Sequence, residues 1–342
     1  MELFQHPNNK TPKQVFDDAI ALAVHAEELG FDTIWLAEHH FSAYGIAGSP
    51  LVLAAAIAER TTTINIGTAV VVLPFYDPIR LAEDCAVVDH LSEGRLRLGV
   101  GRGYQPEEFR GFGVDQSQSR QIAAETIEVM RRAWTDDLLN FEGEHYQYED
   151  LAVLPKPYQQ PHPPIYQAAV SLESFDRAGK EGSPILTSPN FTPMETIRKQ
   201  FTLYTDALKE AGHDPDDFAR PLMQQVYVGE DEQNAYEAPR ESAMWYQALL
   251  ATVVPGAKEA APRGYEQWDK IAENIKNISY DDVYNGGANF GETDRVLDHI
   301  RQLQEVAGVT SYIGWFTFGG LERAIAEGSM ERFAKTVMPE FK

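Results

Sequence analysis

Residues 11–37, TPKQVFDDAIALAVHAEELGFDTIWLA, contain the pattern that decides the fold. Thr11 and Gln14 have the spacing of a capping box, and Pro12 between them suits the first position of a helix. Apolar residues then recur three and four places apart as far as Gly30, a residue that commonly ends helices. An apolar run of strand length follows at once, so this stretch predicts a helix that leads directly into a buried strand.

The same alternation of strand and helix continues along the chain. Most of the strand-like runs are continuously apolar, as parallel strands buried on both faces are. Eight such units favour the α/β class and a single closed TIM (β/α)8 barrel over residues 1–342, although an open doubly wound sheet has a similar pattern. The predicted strands cover residues 2–4, 33–37, 64–73, 96–100, 164–169, 185–187, 222–228 and 309–316.

Residues 230–292 break this rhythm between the seventh and eighth predicted strands. The segment is too long for a plain barrel loop, and its apolar spacing is helical at 236–250 and 265–275. We therefore expect a helical insertion over the barrel mouth, and a decorative extension is the alternative.

Composition narrows the class of protein. With 52 acidic and 29 basic residues the net charge is −23. A surface of this charge repels nucleic acid and anionic membranes, so we do not expect either as a partner. The chain has no apolar run of about 18 residues and no basic-then-apolar leader, so we expect a soluble, cytoplasmic protein. Cys85 is the sole cysteine, which excludes an internal disulfide, and its apolar neighbours predict a core residue.

Candidate binding residues lie where predicted strands end, because β/α barrels build their sites at the carboxyl ends of strands. The strand at 96–100 ends in GRGY, residues 101–104, which places the permanently charged Arg102 on backbone that a ligand can approach closely. Ser171 and Ser174 lie at a strand-to-helix turn, where hydroxyls and amides can bind an anion. Together they predict a phosphate site. The alternatives are a surface ion pair for Arg102 and simple N-capping for the serines.

A second candidate site follows the strand at 33–37, in Glu38, His39 and His40. Adjacent side chains at a strand end point in opposite directions, so the two histidines are a poor pair of ligands for one metal, and we expect no metal site. One histidine is expected to face the barrel mouth and the other to pack sideways, with Glu38 able to orient it. A purely structural histidine is the alternative to a catalytic one.

Three passages resemble those of a known protein family and occur in the same order and spacing. They are GFDTIWLAEHHF at 30–41, NIGTAV at 65–70 and LSEGRLRLGVGRG at 91–103. With them the chain closely resembles the bacterial luciferase-like flavin-dependent monooxygenases over nearly its whole length. The resemblance implies a β/α barrel that uses reduced FMN, supplied by a separate reductase, and O2 to oxidise a small aldehyde- or ketone-like compound.

The resemblance also implies roles for individual residues. His39 falls at the family's active-site base, with His40 as the second catalytic candidate, and 69–70 falls at its non-proline cis peptide. The segment 230–292 matches its mobile lid. A homodimer is implied too, and the predicted helix at 51–60 is richer in small apolar residues than a solvent-facing helix needs to be. The residues expected to contact the cofactor are Glu38, Ala69, Val70, Gly101, Arg102, Tyr104, Ser171 and Ser174.

The chain departs from the luciferases at three positions of the expected site. Gly101 stands where their catalytic subunit has a reactive cysteine, Val170 where it has a glutamate, and Pro189 where it has an aromatic residue. We therefore expect a luciferase-like monooxygenase rather than a light emitter. Two other readings stay open: hydride transfer with a deazaflavin, and a family member that binds flavin without catalysis.

Overall fold

The computed structural model describes residues 1–7, 9–188, 192–258, 260–262 and 265–341, so Pro189 lies outside the described residues. It contains two compact units. The first unit comprises Met1–Phe31, Ile165–Gln247 and Ile278–Lys342, and the second comprises Asp32–Pro164 and Ala248–Asn277.

The helices and strands are numbered in chain order. The helices are α1 Pro12–Glu28, α2 Pro50–Ala58, α3 Pro78–Leu91, α4 Pro106–Phe112, α5 Ser119–Thr135, α6 Leu172–Lys180, α7 Met194–Glu210, α8 Glu232–Glu237, α9 Arg240–Val253, α10 Gln267–Lys276, α11 Tyr280–Asp282, α12 Thr293–Gln302 and α13 Arg323–Thr336. The strands are β1 Thr33–Leu36, β2 Asn65–Thr68, β3 Val71–Val72, β4 Leu96–Gly101, β5 Leu139–Glu142, β6 Gln147–Leu151, β7 Ile165–Ala168, β8 Ile185–Leu186, β9 Pro221–Val228, β10 Asn289–Gly291 and β11 Ser311–Trp315.

The second unit is built on parallel strands. β1 pairs with β2, with Ile34 opposite Ile66, and β2 pairs in turn with β4. β3 also pairs with β4, and β5 and β6 form an antiparallel hairpin. Most residues of β1, β2 and β4 are buried, as expected for strands covered on both faces.

The first unit also contains parallel strands. β7 pairs with β8, while β9 pairs along its first five residues with β11 and along its last three residues with β10. A buried apolar cluster, which includes Phe175, Phe201 and Tyr204, packs α6 against α7 beside these strands. Both units thus confirm the predicted α/β class with parallel strands. Closure into one barrel and a single domain stay predictions.

The helix predicted from residues 11–37 is confirmed. α1 begins after Thr11, whose hydroxyl accepts from the Gln14 amide while the Gln14 side chain bonds back to Thr11, and Pro12 is the first helical residue. Cys85 is fully buried, as predicted, and burial raises the pKa of its thiol. Within the described ranges, no helix is both long enough and apolar enough to cross a membrane.

Four predictions about the elements were wrong or incomplete. Residues 2–4 do not form a strand, because only Glu2 makes a β-bridge; the strand predicted at 64–73 is broken at 69–70 into β2 and β3. The prediction missed α4 and the β5–β6 hairpin. The insertion at 230–292 is not wholly helical, since it ends in β10, whose three residues are too few to show a periodicity.

Candidate active site

The buried carboxylate of Glu38 organises the end of β1. Its Oε1 lies 2.9 Å from His40 Nε2, and its Oε2 accepts from the Val72 amide at 3.0 Å and from the Tyr76 hydroxyl at 3.0 Å. Only 2% of Glu38 is exposed, and this burial raises the pKa of its carboxyl, although the hydrogen bonds oppose the rise. Glu38 therefore ties the end of β1 to the end of β3.

Aromatic rings surround the imidazole of His40. Phe112 meets it edge-to-face at a centroid distance of 4.7 Å, and Phe75 does so at 5.9 Å. Phe75 and Phe112 stack on each other at 4.7 Å. Since its Nε2 is bonded to Glu38 and its ring is packed on these aromatic residues, His40 is held in one orientation.

His39 contacts a different carboxylate. Its Nδ1 lies 3.1 Å from Oε1 of Glu108 and 3.0 Å from Nε2 of Gln105, and the His40 backbone amide donates to the same Glu108 oxygen at 2.9 Å. Glu108 is only 1% exposed. When Nδ1 carries the proton and donates it to Glu108, Nε2 of His39 is left as the atom able to accept or release a proton.

Two tyrosines flank the His39 ring. Tyr44 meets it edge-to-face at 4.7 Å and Tyr104 at 6.0 Å, and the Tyr104 hydroxyl donates to the Tyr44 hydroxyl at 3.3 Å. Tyr104 also stacks on Trp268 of α10, with centroids 4.9 Å apart and planes within 3° of parallel. A residue of the insertion thus covers the ring beside His39.

The insertion also contacts Arg102. The guanidinium carbon of Arg102 lies 4.2 Å from the ring centre of Tyr265, whose hydroxyl donates to the Gly103 carbonyl at 2.9 Å and lies 3.0 Å from Ser119 Oγ. Gly103 has a φ of +75°, and a Cβ there would lie 2.8 Å from Val72. Glycine is required at this position because both its conformation and the close approach exclude a side chain.

The peptide bond between Ala69 and Val70 is cis, at the position that the resemblance implies. It joins β2 to β3. Both residues are partly exposed, whereas the preceding residues of β2, from Ile66 to Thr68, are buried. The strand therefore presents a small apolar surface at its carboxyl end.

Ser171 and Ser174 belong to the first unit, where they cap α6. The Ser171 hydroxyl accepts from the Ser174 amide at 3.3 Å, and the Ser174 hydroxyl donates to the Ser171 carbonyl at 2.6 Å and accepts from the Val170 amide at 3.0 Å. This is the N-capping arrangement named above as the alternative to phosphate binding. It places two hydroxyls and the start of a helix together.

The structure assembles a site in the second unit that the sequence specified only in part. Glu38 contacts His40, whereas His39 contacts Glu108. Arg102 and Tyr104 both contact the insertion. Sequence reasoning missed Glu108 and Gln105. The available signal was Gln105-Pro106-Glu107-Glu108, in which a proline followed by acidic residues is typical of a helix start.

Comparisons with known proteins agree on one family. The profile of the family described as luciferase-like monooxygenase matches residues 1–311. The alkanal monooxygenase alpha chain of Photorhabdus luminescens is 30% identical over 347 residues, which cover 99% of this chain and 95% of that protein. The oxygenase component of the flavin-dependent trigonelline monooxygenase of Acinetobacter baylyi is 30% identical over 345 residues, covering 98% and 92%.

A solved structure supports the same assignment. The crystal structure of a monooxygenase from Streptomyces bottropensis superposes with a TM-score of 0.85 at 27% identity, covering 99% of this chain and 97% of that one. The profile spans most of the chain, and relatives at 30% identity span nearly all of it. The chain is therefore an oxidoreductase that belongs to the luciferase-like monooxygenase family.

Proposed function

We propose that this protein uses reduced FMN and O2 to oxidise a small carbonyl compound, such as an aldehyde or ketone. The observation that carries the proposal is the partly buried imidazole of His39, oriented through Nδ1 by the buried Glu108. An oriented imidazole can exchange a proton near neutral pH, which oxygen transfer to a carbonyl compound requires.

The residues at the end of β4 and after β2 fit a phosphorylated flavin. Arg102 supplies a permanent positive charge suited to a phosphate group, and Ala69 and Val70 supply an apolar surface suited to a flat ring. The hydroxyls of Ser171 and Ser174 in the first unit stay candidates for phosphate binding. Bound reduced FMN would supply the electrons that activate O2.

The protein's own groups then have separate tasks. His39 holds or moves the proton at Nε2, and Glu108 orients the ring. Glu38 and His40 hold the end of β1 in place. Trp268 of the insertion limits the access of water to the His39 side, because it covers Tyr104.

Several finer features belong to the same proposal. We infer that a separate reductase supplies the reduced FMN, because the Acinetobacter relative is named as the oxygenase component of its monooxygenase. We also infer a cytoplasmic homodimer. The strands of each subunit close into one eight-stranded barrel. The insertion at 230–292 then acts as its lid.

Rapid mixing of the protein and reduced FMN with O2 tests the proposed function, followed by a screen of aldehydes and ketones for oxidised product. We expect product only when protein, reduced FMN and O2 are all present. Transfer of a hydride from a reduced deazaflavin, with no O2-dependent product, would assign the chain to the other cofactor chemistry. Tight flavin binding without any turnover would make it a binding protein.

A further inference from the structure

One turn of the insertion holds two residues of the segment that follows β4. The ring of Tyr265 lies under the guanidinium of Arg102, with 4.2 Å between the ring centre and the guanidinium carbon. Three residues later, Trp268 stacks on Tyr104. The Trp268 amide donates to the Tyr265 carbonyl at 2.8 Å, so the two aromatic residues belong to one turn where α10 begins. All four residues lie in the second unit.

Tyr265 is fixed at its polar end as well as by its ring. Only 1% of the residue is exposed. Its hydroxyl donates its single proton to the Gly103 carbonyl at 2.9 Å, so the Ser119 hydroxyl, 3.0 Å away, is the donor of the second hydrogen bond. Ser119 is also buried and is the first residue of α5. The Tyr265 hydroxyl therefore donates and accepts inside the protein, which holds the ring in one position.

The backbone that accepts from Tyr265 is itself closely packed. Gly103 follows Arg102 directly, has a φ of +75° and would place a Cβ only 2.8 Å from Cγ1 of Val72. Backbone in this conformation, so near to its neighbour, has little room to shift. Tyr265 thus contacts both the guanidinium of Arg102 and the fixed backbone next to it.

An ion pair also holds the insertion on this side, but more weakly. Lys258 pairs with Glu107 of α4, and the hydrogen bond from Lys258 lowers the pKa of the Glu107 carboxyl. The two side chains are 63% and 38% exposed, and ion pairs in contact with solvent contribute little to stability. The buried ring and hydroxyl of Tyr265 are therefore the stronger attachment.

A phosphate gains most from a guanidinium that is already in place. An arginine side chain that rotates freely loses that freedom when it binds an anion, whereas one held beforehand does not. A neutral ring leaves the positive charge of Arg102 intact, unlike a carboxylate partner. A guanidinium also has five N–H donors, and a cation–π contact does not need an acceptor for each of them. A ring under Arg102 therefore favours phosphate binding.

We propose that Tyr265 is a positioning residue for the phosphate of FMN. It acts through Arg102, whose guanidinium it holds ready for the phosphate. By this contact the insertion takes part in the choice between FMN and riboflavin, which has the same ring system but no phosphate. The inference rests on the proposed function in one respect, because it takes Arg102 to be the phosphate ligand.

Fluorescence titrations of the whole protein with FMN and with riboflavin test the proposal without turnover. Tyr265→Leu removes the ring and should weaken FMN binding at least about fivefold, while riboflavin should bind as it does to the wild-type protein. Tyr265→Met makes the same prediction and replaces this variant if Tyr265→Leu does not fold. A loss of affinity that is equal for the two ligands would make Tyr265 structural and overturn the proposal.

Tyr265→Phe is the matched control. It keeps the ring under the guanidinium and removes only the hydroxyl, which bonds to Gly103 and Ser119. It should lower Tm, because two buried groups lose their partner, and should keep the ratio of the FMN and riboflavin affinities. A ratio that falls as far in Tyr265→Phe as in Tyr265→Leu would contradict a role for the ring.

A double-mutant cycle shows whether Tyr265 acts through Arg102. In an Arg102→Ala background, Tyr265→Leu should have no further effect on FMN affinity, because the group that the ring positions is gone. Equal losses in both backgrounds would show an effect independent of Arg102 and overturn the proposal. A gain in FMN affinity in Tyr265→Leu would also overturn it, since the ring would then compete with the phosphate.

Failure of the proposed function has a different signature. If Arg102→Ala weakens FMN alone but Tyr265→Leu changes nothing, the phosphate ligand stands and the positioning role is overturned. If Arg102→Ala weakens FMN and riboflavin alike, the phosphate assignment fails and the role of Tyr265 fails with it. A protein that shows both selective losses but no O2-dependent turnover would contradict the proposed function and leave the positioning role standing.

Discussion

The Nδ1 atom of His39 and the Oε1 atom of Glu108 lie 3.1 Å apart, although 69 positions separate the two residues in sequence. The same carboxylate oxygen also accepts from the backbone amide of His40 at 2.9 Å. One buried oxygen of α4 thus holds both the ring of His39 and the backbone that follows it. The orientation of the proposed proton-transfer group depends on this contact.

Glu108→Gln should lower turnover about tenfold or more, because a neutral amide orients the imidazole less strongly than a charged acceptor does. The bond to the His40 amide can survive in this variant, so the unfolding midpoint in denaturant should change little. Steady-state turnover and urea unfolding of the same preparation check both statements. Unchanged turnover would remove Glu108 from the mechanism.

The two histidines should respond differently to replacement by alanine. His39→Ala should keep the fold and FMN affinity while lowering turnover by at least about a hundredfold, the usual lower range for general acid–base help. His40→Ala should lower the free energy of unfolding by about 1–3 kcal/mol, since it leaves the buried Glu38 without this partner. If His40→Ala instead abolished turnover at full stability while His39→Ala was active, the two roles would be exchanged.

Arg102→Ala should weaken FMN binding by about 1.5–3 kcal/mol, the range of a charge-assisted hydrogen bond. Riboflavin lacks the phosphate, so it should bind the variant and the wild-type protein about equally in fluorescence titrations. The matched control is Tyr265→Phe, which keeps the ring that lies under the guanidinium. Equal weakening of both ligands by Arg102→Ala would make the arginine structural.

His299 should make stability depend on pH. Burial, together with the charge of Arg295, lowers the pKa of His299 to about 4, whereas an unfolded histidine titrates near about 6.5. Between these values the unfolded chain binds the extra proton and the folded protein does not, so stability falls as the pH drops from about 6.5 to about 4.

Replacement by glutamine isolates this contribution. The free energy of unfolding of the wild-type protein minus that of His299→Gln should fall by on the order of 1–3 kcal/mol when the pH is lowered from about 7 to about 4.5. Urea unfolding at the two pH values measures it. A difference that stays constant across this range would contradict the buried, neutral state of His299.

Exposed apolar residues on α2 and α3 allow the homodimer prediction to be tested. Val52 of α2 is 68% exposed, and Val87 and Leu91 of the neighbouring helix α3 are 45% and 43% exposed. Val52→Asp should therefore convert a dimer to a monomer, because it buries an unpaired charge in an apolar contact. Light scattering at micromolar concentration measures the mass, with Leu138→Asp as an exposed control. A monomeric wild-type protein would contradict the prediction outright.

The sequence by itself determined the local elements whose signals lie within a few residues. The cap of α1, the buried run of β1 and the core position of Cys85 could all be predicted, because capping, periodicity and burial depend on neighbouring side chains. The match of three short passages also placed the chain in its family. Two adjacent histidines at a strand end were enough to expect that their side chains point in opposite directions.

Only the tertiary structure decided which partners those are. Glu108 is one of 52 acidic residues, and no local pattern indicates which of them lies beside His39. Helix α4 brings it there. The formation of β10 likewise depends on pairing with β9, a strand more than sixty residues earlier in the chain. Contacts between distant segments are set by the packing of whole elements, which periodicity along one segment does not contain.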